Sequence, residues 1–286
     1  MSVHRDRTGF LFLNIGHFYD HLFMLLFPTA VLAMAADPVF GGSYADVLSL
    51  SVFGFVAFGA ASIPAGWLGD RWSKTGMMSV FFLGIGMASI LTGFARSPLE
   101  LAVGLTLIGL FAAIYHPVGI AMVAADAEKL GKALGINGVW GNLGVAAAGI
   151  TAGALADQWG WRAVFILPGL VAIATGIAYM VFARRQAAKG VTKKPARAHI
   201  ALTPSQMKLL FGVVIVATLC GGIIFHATTV GLPKLIAERT AGFAGTTTQI
   251  GALVTAIYVI AACAQIVVGH LIDRYPLKLI YVGVIV

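Results

Sequence analysis

Charge is what this sequence has least of. Asp, Glu, Lys and Arg make up 10% of its 286 residues, against about 25% in an ordinary soluble domain. That deficit argues strongly against a water-soluble enzyme. Cysteine is nearly absent too: Cys220 and Cys263 both sit in apolar runs, where burial as small hydrophobes accounts for them. They imply neither a disulfide framework nor a metal site. No GxxxxGK[ST] stretch offers a phosphate-binding loop, so nucleotide-driven work is not expected. The short segments of alternating polarity that mark a membrane barrel are missing as well. No clear small-residue cleavage site follows the first apolar run. Arg5, Asp6 and Arg7 therefore introduce a first membrane helix rather than a removable signal peptide.

What remains is apolar. The hydrophobic share is 59%, with 35 glycines and a mean hydropathy of +0.92. A spanning helix takes about 20 such residues to cross roughly 30 Å of hydrocarbon. Runs of that length occupy 9–36, 45–68, 76–95, 99–124, 132–156, 162–183, 208–236 and 247–271. A ninth begins near Leu277 and reaches Val286 after ten residues, too few to cross, which favours a sequence that ends before its fold does.

The net charge of +8 reports topology rather than a nucleic-acid partner. With the N-terminus cytoplasmic, 15 of the 19 basic residues fall on the inner side, and only Arg96, Arg162, Lys234 and Arg239 on the outer. The positive-inside rule selects that orientation. The longest loop, Arg184 to Met207, holds six basic residues and no acid. Pro195 and Pro204 within it disfavour a continuous helix. It reads as a cytoplasmic linker, 184–207, touching anionic headgroups, between an N-terminal six-helix bundle at 1–183 and a partial bundle at 208–286.

An internal repeat supports that division. Gly66, Leu68, Asp70 and Arg71 in GWLGDRWSK return as Gly269, Leu271, Asp273 and Arg274 in GHLIDRYPLK, 203 positions on. His21 and Pro28 of the first span match His226 and Pro233 of the seventh, at an offset of 205. Two nearly equal offsets argue for a parallel six-plus-six duplication.

GWLGDRWSK resembles the loop between helices two and three of the major facilitator superfamily, filled here by Gly66, Leu68, Asp70, Arg71 and Lys74, with Ser73 where the family usually has Gly. WGWRAVFILPG, Trp159 to Gly169, is similar to that family's entry into helix six. His17, Asp20, His116, Pro117, Gly141, Asn142 and Gly144 look most like the fosmidomycin resistance efflux group within it. The resemblance implies an all-α membrane protein of two six-helix halves, the second incomplete. It also implies a gating role for the repeated loops: Gly66, Asp70, Arg71 and Lys74 in one half, Gly269, Asp273 and Arg274 in the other. There the carboxylate would bond the exposed N-terminal amides of a neighbouring helix. Two departures stand out. Asn142 occupies the place of the proline that drug antiporters carry in helix five, and Leu105 lies near that of an arginine in helix four.

One acidic residue of 11, Asp20, falls inside a span. A charge at that depth costs about 2.5–3.5 kcal/mol on insertion scales, a cost that points to proton binding. Asn14, His17, Asp20 and His21 share roughly 120° of one helix face, and an imidazole changes charge near neutrality. His17 and His21 are therefore candidate relay partners. In the fourth span Pro117 frees the carbonyl of Ala113 and bends the helix beside His116. Asn14, His116, Asn142 and His226 are the candidate walls of a substrate cavity. The glycines of the fifth span, from Gly141 to Gly153, read as a close-packing face. No cofactor and no metal are expected. The sequence thus predicts a monomeric, multi-pass protein of the bacterial cytoplasmic (inner) membrane, exchanging protons for a small organic solute by efflux. Proton symport of an organic acid or other nutrient is the alternative.

Overall fold

The computed structural model describes residues 6–34, 37–40, 42–188, 203–272 and 274–285. Among the described residues eight helices are long and apolar enough to cross a membrane, one for each full-length run in the sequence. They are α1 (Arg7–Met34), α2 (Tyr44–Arg71), α3 (Lys74–Gly93), α4 (Pro98–Asp126), α5 (Leu130–Trp159), α6 (Trp161–Ala188), α7 (Pro204–Arg239) and α8 (Thr247–Ile272). A ninth, α9 (Leu277–Ile285), has 9 residues and at 1.5 Å per residue spans less than half of the hydrocarbon. No strand occurs among the described residues.

Local chemistry sets the helix ends. Ser43 caps α2 with a reciprocal bond from Asp46, and Ser97 caps α4 with Pro98 at the first helical position. Ser73, the departure from the family loop, accepts from the Gly76 amide at 3.0 Å and so starts α3 with a hydroxyl cap. Between α5 and α6 the chain reverses through Gly160, whose φ of 80° is open to glycine at little steric cost.

The linker is shorter at both ends than the sequence predicts. α6 continues to Ala188, and Thr203 caps α7 with Pro204 at its first position. Proline is favoured there because its missing N–H has no partner in a first turn. Residues 189–202, and Asp273 of the second expected gating loop, lie outside the described set.

Within the first six helices α2 packs on α4, α3 on α4 and α6, and α1 on α5. Phe23, Phe27, Phe81, Phe82, Tyr115 and Phe165 are fully buried between them. α5 is shared, because its other face packs on α8. Small residues set both approaches. A Cβ added at Gly144 would sit 2.2 Å from the Phe18 carbonyl oxygen of α1, and one at Gly149 would sit 2.8 Å from the Gly251 carbonyl oxygen of α8. Without a hydrophobic drive between helices in lipid, such backbone proximity is what dispersion needs. The cysteines correct an expectation of burial: Cys220 and Cys263 are both exposed. In a spanning helix the bilayer itself supplies apolar surroundings, so a small hydrophobe gains as much there as in a core.

Candidate functional site

α4 does not run straight. It is α-helical to Ala112, takes a π-turn over Tyr115–Gly119 and resumes at Ile120. Pro117 lacks the N–H that would continue the ladder, and the wider turn accommodates it. π-turns recur at functional sites because the extra residue re-aims side chains. Here the turn carries His116. Gly66 of α2 lies against it: a Cβ there would be 3.1 Å from Pro117 Cβ, so a glycine of the family loop lets α2 approach the bend.

Asp20 is 1% exposed. His116 Nε2 stands 3.1 Å from its Oδ2, and His21 Nε2 stands 4.0 Å from the same oxygen. The contact joins α1 to α4, and 3.1 Å is within the range of a hydrogen bond between an imidazole and a carboxyl. His17 completes the cluster, with its ring centroid 5.0 Å from that of His21 and 5.4 Å from that of His116. The side chains of His21 and His116 are 22% and 37% exposed. The carboxyl is thus sealed while two imidazoles beside it stay accessible.

Beneath the cluster lies a polar hub centred on Asn137 of α5. Its backbone oxygen accepts from His17 Nδ1 at 2.7 Å, and its side-chain amide donates to Asn14 Oδ1 at 3.0 Å and to Tyr115 Oη at 2.8 Å. Tyr115 Oη donates to the Leu13 carbonyl oxygen at 2.8 Å, and its ring stacks on His17 at 4.9 Å. Gly141, one turn on, makes room for that imidazole: a Cβ there would fall 2.6 Å from His17 Nε2. Asn14 is therefore buried support for the cluster rather than an open wall.

The remaining candidates spread out. His226 turns its ring onto Phe55 of α2, with centroids 4.8 Å apart, and Phe225 rather than His226 approaches His21, at 6.2 Å. His226 lines a cleft of about 1220 Å³ between α2 and α7, with Leu48, Phe55, Val56, Ile215 and Leu219 among its walls. Asn142 is half-buried, on the side of α5 that Ala146 and Gly149 present to α8. In the loop between α2 and α3, expected from the sequence to act as a gate, Asp70 is exposed and pairs with Lys74 four residues on, and Arg71 lies over the Trp67 ring. No other helix receives the Asp70 carboxylate among the described contacts.

A carboxylate that does cap a neighbouring helix lies at the far end of α5. Asp157 accepts from the Thr248 amide at 2.7 Å, the Thr248 hydroxyl at 2.6 Å and the Thr247 amide at 3.3 Å. It thus caps the first turn of α8. Further along, Thr255 donates to the Ala146 carbonyl oxygen at 2.5 Å. Near this end Asp37 accepts from Trp161 Nε1 at 2.9 Å and from the Val39 amide at 3.0 Å, and these donors hold its carboxyl below the usual carboxylate range. Sequence reasoning missed Asn137, Tyr115 and Asp157. The first was open to the same argument that found Asp20, a polar group inside an apolar run. The bond from Asp157 reaches 91 positions along the chain, and no local pattern announces it.

The Major Facilitator Superfamily model matches residues 13–286. The puromycin resistance protein pur8 of Streptomyces alboniger is 31% identical over 110 residues, which are 37% of this chain and 22% of that protein. A probable hexose phosphate transport protein of Chlamydia pneumoniae is 38% identical over 130 residues, 42% of this chain and 28% of that one. Among solved structures, a bacterial homolog of the human lysosomal transporter Spinster, inward-facing and unoccupied, superposes with a TM-score of 0.66 at 16% identity, covering 94% of this chain and 64% of that chain. The chain therefore spans about a quarter of the length of these curated relatives. With eight membrane-spanning helices in the arrangement described and a family match from Leu13 to the last residue, the chain belongs to the major facilitator superfamily.

Proposed function

We propose that this chain carries the proton-binding half of a secondary transporter that exports a small organic solute in exchange for protons. The observation that carries this reading is the 3.1 Å contact between the sealed Asp20 carboxyl and the accessible His116. A carboxylate that has lost its water is costly to keep charged without a partner. Its protonation state therefore weighs on how closely α1 and α4 pack. Helix displacement that separates the two groups would strand the charge, so separation favours a protonated carboxyl and deprotonation favours the paired arrangement. His17 and His21 extend the path, and His116 and the face around Phe225 and His226 offer a solute its first contacts. In the orientation that places the basic loops inside the cell, the Asp157 latch closes the outer end and the Asp70 loop stands at the inner end. Resistance to puromycin in one relative agrees with export.

Asp20→Asn is expected to abolish flux driven by a pH gradient in proteoliposomes of the complete transporter, with the variant still folded and inserted. Gradient-driven flux equal to wild type would refute the role of Asp20. Proton symport of a nutrient is the second reading, favoured by the hexose phosphate relative and by Asn142 standing where drug antiporters carry proline. Raised accumulation of a solute on overexpression would select it, and lowered accumulation would select export.

A further inference from the structure

We infer that His17, His21, His116 and Asp20 form a binding site for a divalent transition-metal ion of the Zn²⁺ class. The three histidines each offer a ring nitrogen, and these atoms lie within 4.8 Å of one another. Two of the rings already point Nε2 at one oxygen of Asp20, at 3.1 and 4.0 Å. A tetrahedral zinc with bonds of about 2.1 Å sets its ligands about 3.4 Å apart. The three ring nitrogens thus need to close by about 1.4 Å at their widest. The π-turn that carries His116 and the partial exposure of His21 give the rings room to do so.

The polar surroundings are those of a ligand set rather than of a packed core. A backbone carbonyl only accepts, so the 2.7 Å contact from His17 Nδ1 to Asn137 oxygen places the ring proton on Nδ1 and leaves the Nε2 lone pair free. A hydrogen bond from the far ring nitrogen to a carbonyl is how proteins orient histidine for a metal. Asp20 Oδ1 is buried and has no hydrogen-bond partner among the described residues, an acceptor that a cation would satisfy. Three imidazoles and one carboxylate suit Zn²⁺, Co²⁺ or Ni²⁺, whereas Mg²⁺ and Ca²⁺ seek sets of oxygens. No local pattern announces such a site, because the ligands come from two helices, with Asp20 and His116 separated by nearly a hundred residues.

The test is binding, separate from transport. The purified protein, carrying no polyhistidine tag, is titrated with Co²⁺, whose visible d–d absorption reports four-coordinate nitrogen and oxygen ligation, and then with Zn²⁺ as competitor. Saturable uptake of one ion per chain is expected, displaced by Zn²⁺ but not by Mg²⁺. His116→Gln and His21→Gln should each weaken it at least ten-fold, with thermal unfolding checked for each variant, whereas His226→Gln should leave it unchanged. Absence of saturable Co²⁺ binding, or equal loss in His226→Gln and His116→Gln, would overturn the proposal. Because no flux is measured, failure of the proton-coupling reading leaves this result standing, and the converse also holds.

Discussion

Asp157 offers the sharpest test of how the two halves are held. Its carboxylate takes three hydrogen bonds from the first turn of α8, at 2.6, 2.7 and 3.3 Å, and it is exposed to solvent. The bond is therefore a helix cap, worth about 0.5–2 kcal/mol, and not a buried ion pair. It joins α5 of one half to α8 of the other, so on the proposed function it would hold this end closed. Asp157→Ala should shift the balance toward the open form by that amount, a ratio change of roughly two- to thirty-fold at 1.4 kcal/mol per decade. Thr248→Val, which removes only the hydroxyl donor, should lie between wild type and Asp157→Ala. Spin labels on cysteines placed at Phe94 and Phe243, 60% and 73% exposed in loops at this end, would report the separation by pulsed electron resonance. Cys220 and Cys263 would be replaced by serine beforehand. A longer distance should gain population in Asp157→Ala. Identical distance distributions in wild type and variant would refute the latch.

Two further outcomes follow from the same geometry. Gly149→Leu puts a side chain where a single Cβ already falls 2.8 Å from the Gly251 carbonyl oxygen; it should cost about 1–3 kcal/mol as overpacking and lower the thermal unfolding midpoint, and an unchanged midpoint would show that α5 and α8 do not meet there. Asp37, held below the usual carboxylate range first by the Trp161 indole and then by the Val39 amide, adds stability that is whole above that range and is lost as pH falls through it toward the folded-state value. Trp161→Phe should therefore flatten the decline of unfolding temperature between neutral and acid pH, and a wild-type slope in the variant would contradict this.

The fold was legible because lipid makes it so. With no water at membrane depth, only continuous helices satisfy the backbone, and run length alone placed eight spans within a few residues of their observed ends. The ends that moved, Ala188 and Pro204, border the basic linker segment, where caps and proline position decide rather than apolar run length. On the site, helical periodicity grouped Asn14, His17, Asp20 and His21 correctly, since they share one helix. Pro117 marked His116, although a π-turn is invisible to periodicity. His226 was paired with His21 by the repeat. One residue is 100° of helix, however, and the structure turns Phe225 to the cluster and His226 to Phe55.

That distribution singles out α5. Its α1-facing side holds the cluster in register, through the Asn137 carbonyl on His17 and the bare Cα of Gly141 beside the same ring. Its opposite side carries Ala146, Gly149, Gly153 and Asp157, all in contact with α8. An α-helix is stiff along its axis over this length, so α5 cannot slide or tilt against α8 without carrying Asn137 with it. A displacement of an ångström lengthens the 2.7 Å bond to His17 beyond hydrogen-bond range and frees that imidazole to turn. On the proposed function, opening of the Asp157 end is therefore expected to disturb the support of the cluster around Asp20. In a double variant, Asp157→Ala with Asp20→Asn, the effects on the distance distribution should fail to add, as they do for groups that share a structural element. Strict additivity would mean that α5 transmits nothing between the latch and the carboxyl.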